Sequence, residues 1–160
     1  MKKLLKALKR ARKATQHTSR QAAVEAWVRD VTALYRQIEA WIRKAKIGED
    51  LAAFSRQSAP LSEDRYGDYE CDELHLLLAG VRVRFVPVGL EIIGCTGRVD
   101  VIHGPRKYLL LRDAGSKWTV LSSCDRFTPR RALTADVLEG VLLFMVEDRL
   151  EQLANNEEDR

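Results

Sequence analysis

The stretch LHLLLAGVRVRF, residues 74–85, decides how this chain folds. Two runs with the alternating pattern of half-buried strands flank the dipeptide Ala79-Gly80. Glycine at the second turn position supplies the positive φ that a two-residue hairpin loop requires. With those two residues as the loop, Leu78 faces Val81, Leu76 faces Val83 and Leu74 faces Phe85 on one side of the sheet. The other side receives Leu77 with Arg82 and His75 with Arg84. Each apolar cross-strand pair contributes roughly 0.2–1 kcal/mol, and a one-residue slip would turn the whole apolar set outward.

A second hairpin is expected where KYLLLRD and SKWTVLS flank Ala114-Gly115. A two-residue loop there predicts Leu111 opposite Trp118 and Leu109 opposite Val120, with Leu110–Thr119 and Tyr108–Leu121 on the reverse side. Both faces then carry large apolar residues, the pattern of a sheet covered on both sides or closed into a small barrel. Between the hairpins, Pro87 and Gly89 mark a break, Gly94 and Gly97 a bulge or bend, and Arg98 to His103 a further strand. Five or six antiparallel strands result.

Toward the N-terminus, Val24, Trp27, Val31, Leu34, Ile38, Trp41 and Ala45 recur at alternating spacings of three and four, widened by Val28, Tyr35 and Ile42. This predicts a long amphipathic helix. Its stripe fits a coiled coil with a second subunit or the surface of the sheet, although tryptophan at two seam positions suits a narrow two-stranded coil poorly. Trp27, Leu34 and Trp41 are the candidate partner-binding residues. Gly48 is placed to end the helix. Residues 47–73, with Pro60 and many Ser, Asp and Glu, read as an acidic polar linker with a short helix near Leu51 to Phe54.

On the other side, Pro129 interrupts regular structure, and Thr134 is a good N-cap with Asp136 in the first turn. The helix it opens should run to about Ala154. Its run VLLFMV, Val141 to Val146, is apolar all round and calls for enclosure by sheet, partner helix or second subunit. Residues 155–160 read as a disordered tail. The organisation expected is thus a basic helix over 1–46, a linker over 47–73, and a meander with its C-terminal helix over 74–154. At 160 residues the chain is long enough for one real core.

The net charge of +4 conceals an asymmetry. Residues 1–46 hold 13 Lys or Arg against Glu25, Asp30 and Glu39, whereas the remainder holds 14 basic and 20 acidic residues. Seven cations, Lys2, Lys3, Lys6, Lys9, Arg10, Arg12 and Lys13, fall within the first 13 residues, where Leu4, Leu5, Leu8 and Ala11 form a short apolar face. Such a segment is a solvated helix end, an arm that contacts nucleic acid through phosphate, or a surface-binding or transit segment for an anionic membrane. It lacks the apolar core of a secretory signal, and no stretch approaches a membrane span.

Cys71, Cys95 and Cys124 are odd in number and widely spaced, which fits reduced thiols in the cytoplasm. No Cys-x-x-Cys or His-x-x-x-His pair organises a zinc site from these with His75 and His103. Nucleophile elbows, phosphate loops, dinucleotide fingerprints and metalloprotease helices are absent, so neither a catalytic residue nor a cofactor is expected. Basic residues also cluster at Arg106-Lys107 and at Arg126, Arg130 and Arg131, and would extend a phosphate-facing surface if the fold brought them to one side.

The segment GRVDVIHGPRKYLLLRD, residues 97–113, resembles the central hairpin of PD-(D/E)XK nucleases. In that family a Gly-x-x-Asp strand precedes a strand ending in an acid-x-Lys motif. The resemblance puts Asp100, after Gly97, at the first metal-binding acid. The acid-x-Lys would fall at Leu111 to Asp113, where this chain has Leu-Arg-Asp, so the second carboxylate and the lysine are both missing. Metal-assisted phosphodiester cleavage needs those carboxylates to hold the cation. A strand after Ala114-Gly115, where the family has a helix, is a further departure. The resemblance therefore implies an inactive, degenerate relative.

The expectation is an α+β protein: a long basic helix, an antiparallel meander and a buried C-terminal helix. Its expected function is non-catalytic, that of an assembly or adaptor protein. It self-associates as a homo-oligomer or docks a larger protein, with a basic arm available to nucleic acid.

Overall fold

The computed structural model describes residues 1–48, 50–122 and 129–158. Helix α1 (Lys2–Lys44) is followed by strands β1 (Ala52–Glu63), β2 (Gly67–Leu78), β3 (Val81–Gly89), β4 (Arg98–His103), β5 (Arg106–Arg112), β6 (Trp118–Ser122) and β7 (Arg131–Ala132), then by helix α2 (Ala135–Glu158). Each strand pairs antiparallel with the next, so the sheet is an open seven-stranded meander and not a barrel. The α+β class is as expected.

The first hairpin has the expected register, with Leu78↔Val81, Leu76↔Val83 and Leu74↔Phe85. Its loop holds Ala79 at φ 47 and Gly80 at φ 85, the left-handed pair of a type I′ turn. The second hairpin is displaced by one residue: Leu110 faces Val120, Leu111 faces Thr119 and Arg112 faces Trp118. The cause is Asp113. Its carboxylate accepts hydrogen bonds from the amides of Gly115 and Lys117 at 2.9 Å, and Asp113 N–H donates to the Lys117 carbonyl. The loop therefore holds three residues, Ala114 to Ser116, and Ser116 takes the left-handed position at φ 56. This register places Leu110 and Val120 together in the core.

The segment expected to be a linker is instead the 12-residue strand β1 and the first part of the 12-residue β2. No helix forms near Leu51 to Phe54. Pro60 is tolerated because β1 is an edge strand with a single neighbour. Several acids of this segment are used locally. Glu63 accepts from the amides of Leu90 and Glu91 and from the Tyr69 hydroxyl, holding the turn after β3. Ser62 and Ser58 donate to Asp68 and Glu70.

Both helices cover the same face of the sheet. From α1, Trp27, Val31, Leu34, Tyr35, Ile38 and Ile42 are buried against Leu74, Leu76, Val83, Phe85, Val99 and Val101. From α2, Leu138, Val141, Leu142 and Met145 join the same core. The buried stripe on α1 drifts from Trp27 to Ile42, leaving Trp41 half-buried and Ala45 exposed. That drift is the 3.6-residue period of a straight helix lying on a sheet, whereas a coiled-coil seam would hold a 3.5-residue period. The Tyr35 hydroxyl donates to the Phe85 carbonyl at 3.0 Å, so this buried phenol is satisfied.

Ends of helices differ from expectation in two places. Helix α1 stops at Lys44, and Lys46, at φ 55, occupies the left-handed position expected of Gly48. Helix α2 runs to Glu158, so residues 155–158 are helical; residues 159 and 160 lie outside the described residues. Thr134 caps α2 as expected, its hydroxyl accepting from Val137 N–H at 3.2 Å.

Candidate functional site

Helix α1 has two halves with opposite properties. From Trp27 onward one face is buried in the sheet. Before Ala23, every described side chain is exposed. Lys13, His17 and Arg20 border a cleft of about 610 Å³ opposite Asp64 of the β1–β2 turn and Asp68 at the start of β2. Beyond Lys13 the helix is a free arm. Lys3, Lys6, Lys9, Arg10, Arg12 and Lys13 are all exposed on it; Lys2 opens the helix, and its side chain lies outside the described residues. Continued toward the N-terminus, the face that packs on the sheet carries Arg20, Lys13, Lys9 and Lys6. Leu4 and Leu8, one turn apart, project from another side of the helix. Leu4, Leu5 and Leu8 are 53%, 55% and 59% exposed.

The three candidate partner-binding residues do not share a surface. Trp27 and Leu34 are enclosed by this chain's own sheet. Trp27 packs at 5.9 Å from the Trp118 ring and against Gly97, and its indole N–H has no hydrogen-bond partner among the described residues. Trp41 alone reaches the surface, where it lines an apolar groove of about 360 Å³. Ile42 of α1, with Ala45 and Ile47 just after it, Leu51, Leu78 and Ala79, and Leu138, Leu142, Leu143 and Val146 of α2 line it as well. The run VLLFMV is thus enclosed on one side only: Leu143 and Phe144 remain 53% and 39% exposed.

Two acids of α1 bind cations of the sheet and fix the helix on it. Asp30 accepts from Arg112 at 2.6 and 2.9 Å, and Arg112 donates to the Thr96 carbonyl at 3.1 Å while lying over the Trp27 ring. Glu39 accepts from Arg56 at 2.8 and 3.1 Å. Sequence reasoning missed both pairs, which join residues 82 and 17 positions apart and leave no local pattern.

Asp100 is buried on the opposite face of the sheet. Arg98 donates to it at 2.6 and 2.9 Å, and the Lys107 ammonium stands at 3.5 Å. The hydrogen bond to Asp100, reinforced by its charge, raises the Arg98 pKa against the opposing effect of burial. Two cations therefore occupy the carboxylate that the nuclease resemblance would assign to a metal. No group of three His, Cys, Asp or Glu converges among the described residues. His75 pairs with Glu73 at 3.0 Å, while His103 bonds the Arg82 carbonyl. Burial opposes ionisation of Glu73, but hydrogen bonds from Arg84 and His75 outweigh it and hold the carboxyl below its ordinary value.

Burial pushes the Cys71 thiol up to about 12, so it is protonated and unreactive at neutral pH. Cys95 is a half-buried free thiol, and Cys124 lies outside the described residues. The outlying basic residues do not form one patch. Arg106 lies 4.9 Å over the Phe144 ring on the helix-covered face, Lys107 faces Asp100 on the other, and Arg130 reaches the Gly94 carbonyl. Arg126 lies outside the described residues.

No protein-family model, curated protein or solved structure matches this chain. No helix among the described residues is long and apolar enough to cross a membrane.

Proposed function

We propose that this protein is a non-catalytic assembly or adaptor protein, a packed α+β body carrying a helical arm with which it docks on itself or on a larger partner. The observation that carries this reading is the division of α1. One continuous helix is anchored by Trp27 to Ile42, yet keeps its first turns, with Leu4, Leu5 and Leu8, unpacked. An isolated helical segment of that length is marginal in water unless a partner buries its apolar side. Deleting residues 2–13 is expected to leave the thermal midpoint of the body unchanged, because no described side chain in the segment is buried. The same deletion should abolish recovery of partners in affinity purification from native cells after nuclease digestion. Recovery of the same partners with and without the arm would overturn the reading.

A second reading, that the arm contacts nucleic acid, is favoured by the cationic face of Lys6, Lys9, Lys13 and Arg20. It predicts sequence-indifferent binding that loses roughly 0.7–0.9 log units per phosphate neutralised for each tenfold rise in salt. Fluorescence anisotropy with labelled DNA and RNA measures this slope, and the absence of binding at low salt would eliminate the reading. The degenerate-nuclease alternative predicts no divalent-ion-dependent cleavage, since Arg98 and Lys107 hold Asp100. Cleavage abolished by Asp100→Ala would restore the enzyme class.

A further inference from the structure

The distribution of exposed apolar side chains is uneven. Of eleven large ones among the described residues, nine lie on the arm or on the groove rim and α2, leaving Leu77 and Ile93 elsewhere. Exposed apolar surfaces mark interaction sites, and two separate ones on one chain can serve each other between copies.

We infer that the groove between α1 and α2 receives the N-terminal arm of a second copy of this chain. This rests on the assembly reading above and names its partner. The arm cannot enter its own groove. Leu8 and Ala45 belong to one helix and its final cap, and the intervening turns separate them by about 55 Å at 1.5 Å per residue. The occupant therefore comes from another molecule.

Charge selects the same partner. On α2, Glu139 and Leu143 line the groove, and Glu147 and Glu151 continue the same row, at intervals of four, beyond it. On the arm, Leu4, Leu8 and Arg12 follow at the same interval. A ridge with a leucine between two carboxylates thus meets a leucine ridge that continues into a cation. In the docked state Leu4, Leu5 and Leu8 cover Leu143 and the groove between Trp41 and Val146. The helix VLLFMV then acquires on its outer side the enclosure that its composition demands.

Sedimentation velocity on the full chain tests this, with circular dichroism as a check on folding. The wild type is expected to associate at low salt and to dissociate as salt rises. An arm variant, Leu4→Asp with Leu8→Asp, and a rim variant, Leu143→Asp, alter exposed positions and should each weaken association at least tenfold. Mixing the two variants should restore association, because one supplies an intact groove and the other an intact arm. A photo-crosslinking residue at Leu8, in a mixture of nitrogen-14 and nitrogen-15 chains, should join the arm to α2 peptides of the other isotope. A wild type that stays monomeric at low salt overturns the inference, as does association that both variants leave intact. If the chain is monomeric but arm deletion still removes another partner, the second-copy inference fails while the assembly reading stands. If arm deletion changes nothing, both fail.

Discussion

Gly97→Ala tests whether Trp27 is held as rigidly as its surroundings imply. A Cβ at residue 97 would lie 2.7 Å from Cε3 of Trp27 and closer still to Cζ3. Carbon atoms settle at about 3.5–4.0 Å, so ring or strand must yield by roughly 1 Å. The ring has little room to retreat. It is fully buried, with Trp118 at 5.9 Å and the Arg112 guanidinium at 5.8 Å from its centre. Overpacking of a filled core costs typically about 1–3 kcal/mol, and these constraints place the substitution near the top, at about 3 kcal/mol. For a chain of this size that lowers the melting temperature by about 6–12 °C. Urea denaturation followed by circular dichroism measures the loss. Repeating it in a Trp27→Leu background completes a double-mutant cycle, in which the part of the cost due to the ring should vanish and only the strain of an L side chain at φ 155 should remain. A cost below about 0.5 kcal/mol, or the same cost in both backgrounds, would refute the packing argument.

Arg112→Met leaves Asp30 facing, among the described residues, the exposed Arg29 at 3.8 Å, and should cost about 3 kcal/mol in the same denaturation assay. Lys46→Gly removes a side chain from the left-handed position at φ 55 and should stabilise by about 1 kcal/mol, read as a raised melting temperature. Because Arg84 and His75 hold Glu73 below its ordinary value, its contribution to stability is full above the unfolded-state value and is lost as pH falls through the folded one. Glu73→Gln should therefore flatten the acid limb of the stability profile; an unchanged limb would show that Glu73 gains nothing from its partners.

The first hairpin was legible because Ala79-Gly80 leaves a two-residue loop, and alternation on both strands agrees with only one register. The second failed by one residue because its register is decided by the Asp113 carboxylate, whose bonds to Gly115 and Lys117 lengthen the loop. Much of β1 and β2 reads as part of an acidic linker over 47–73 because their distal halves form a polar edge ribbon, where propensity and hydrophobic pattern are both weak. Of the candidate site, the exposed arm was readable as a run of charge. The groove was not, because it joins Trp41, Leu78 and Leu143 from three separate elements with Leu51 from the turn before β1.

Local periodicity and turn chemistry by themselves determined the two long helices, the Ala79-Gly80 hairpin, the Thr134 cap and the free basic end, since each depends on neighbours a few residues apart. Only the tertiary structure decided that both helices cover one face, that Trp27 and Leu34 serve this chain's own core, and that Leu143 is left beside an open groove. These outcomes depend on which surfaces meet across the sheet, and burial against distant residues is not written in any local spacing.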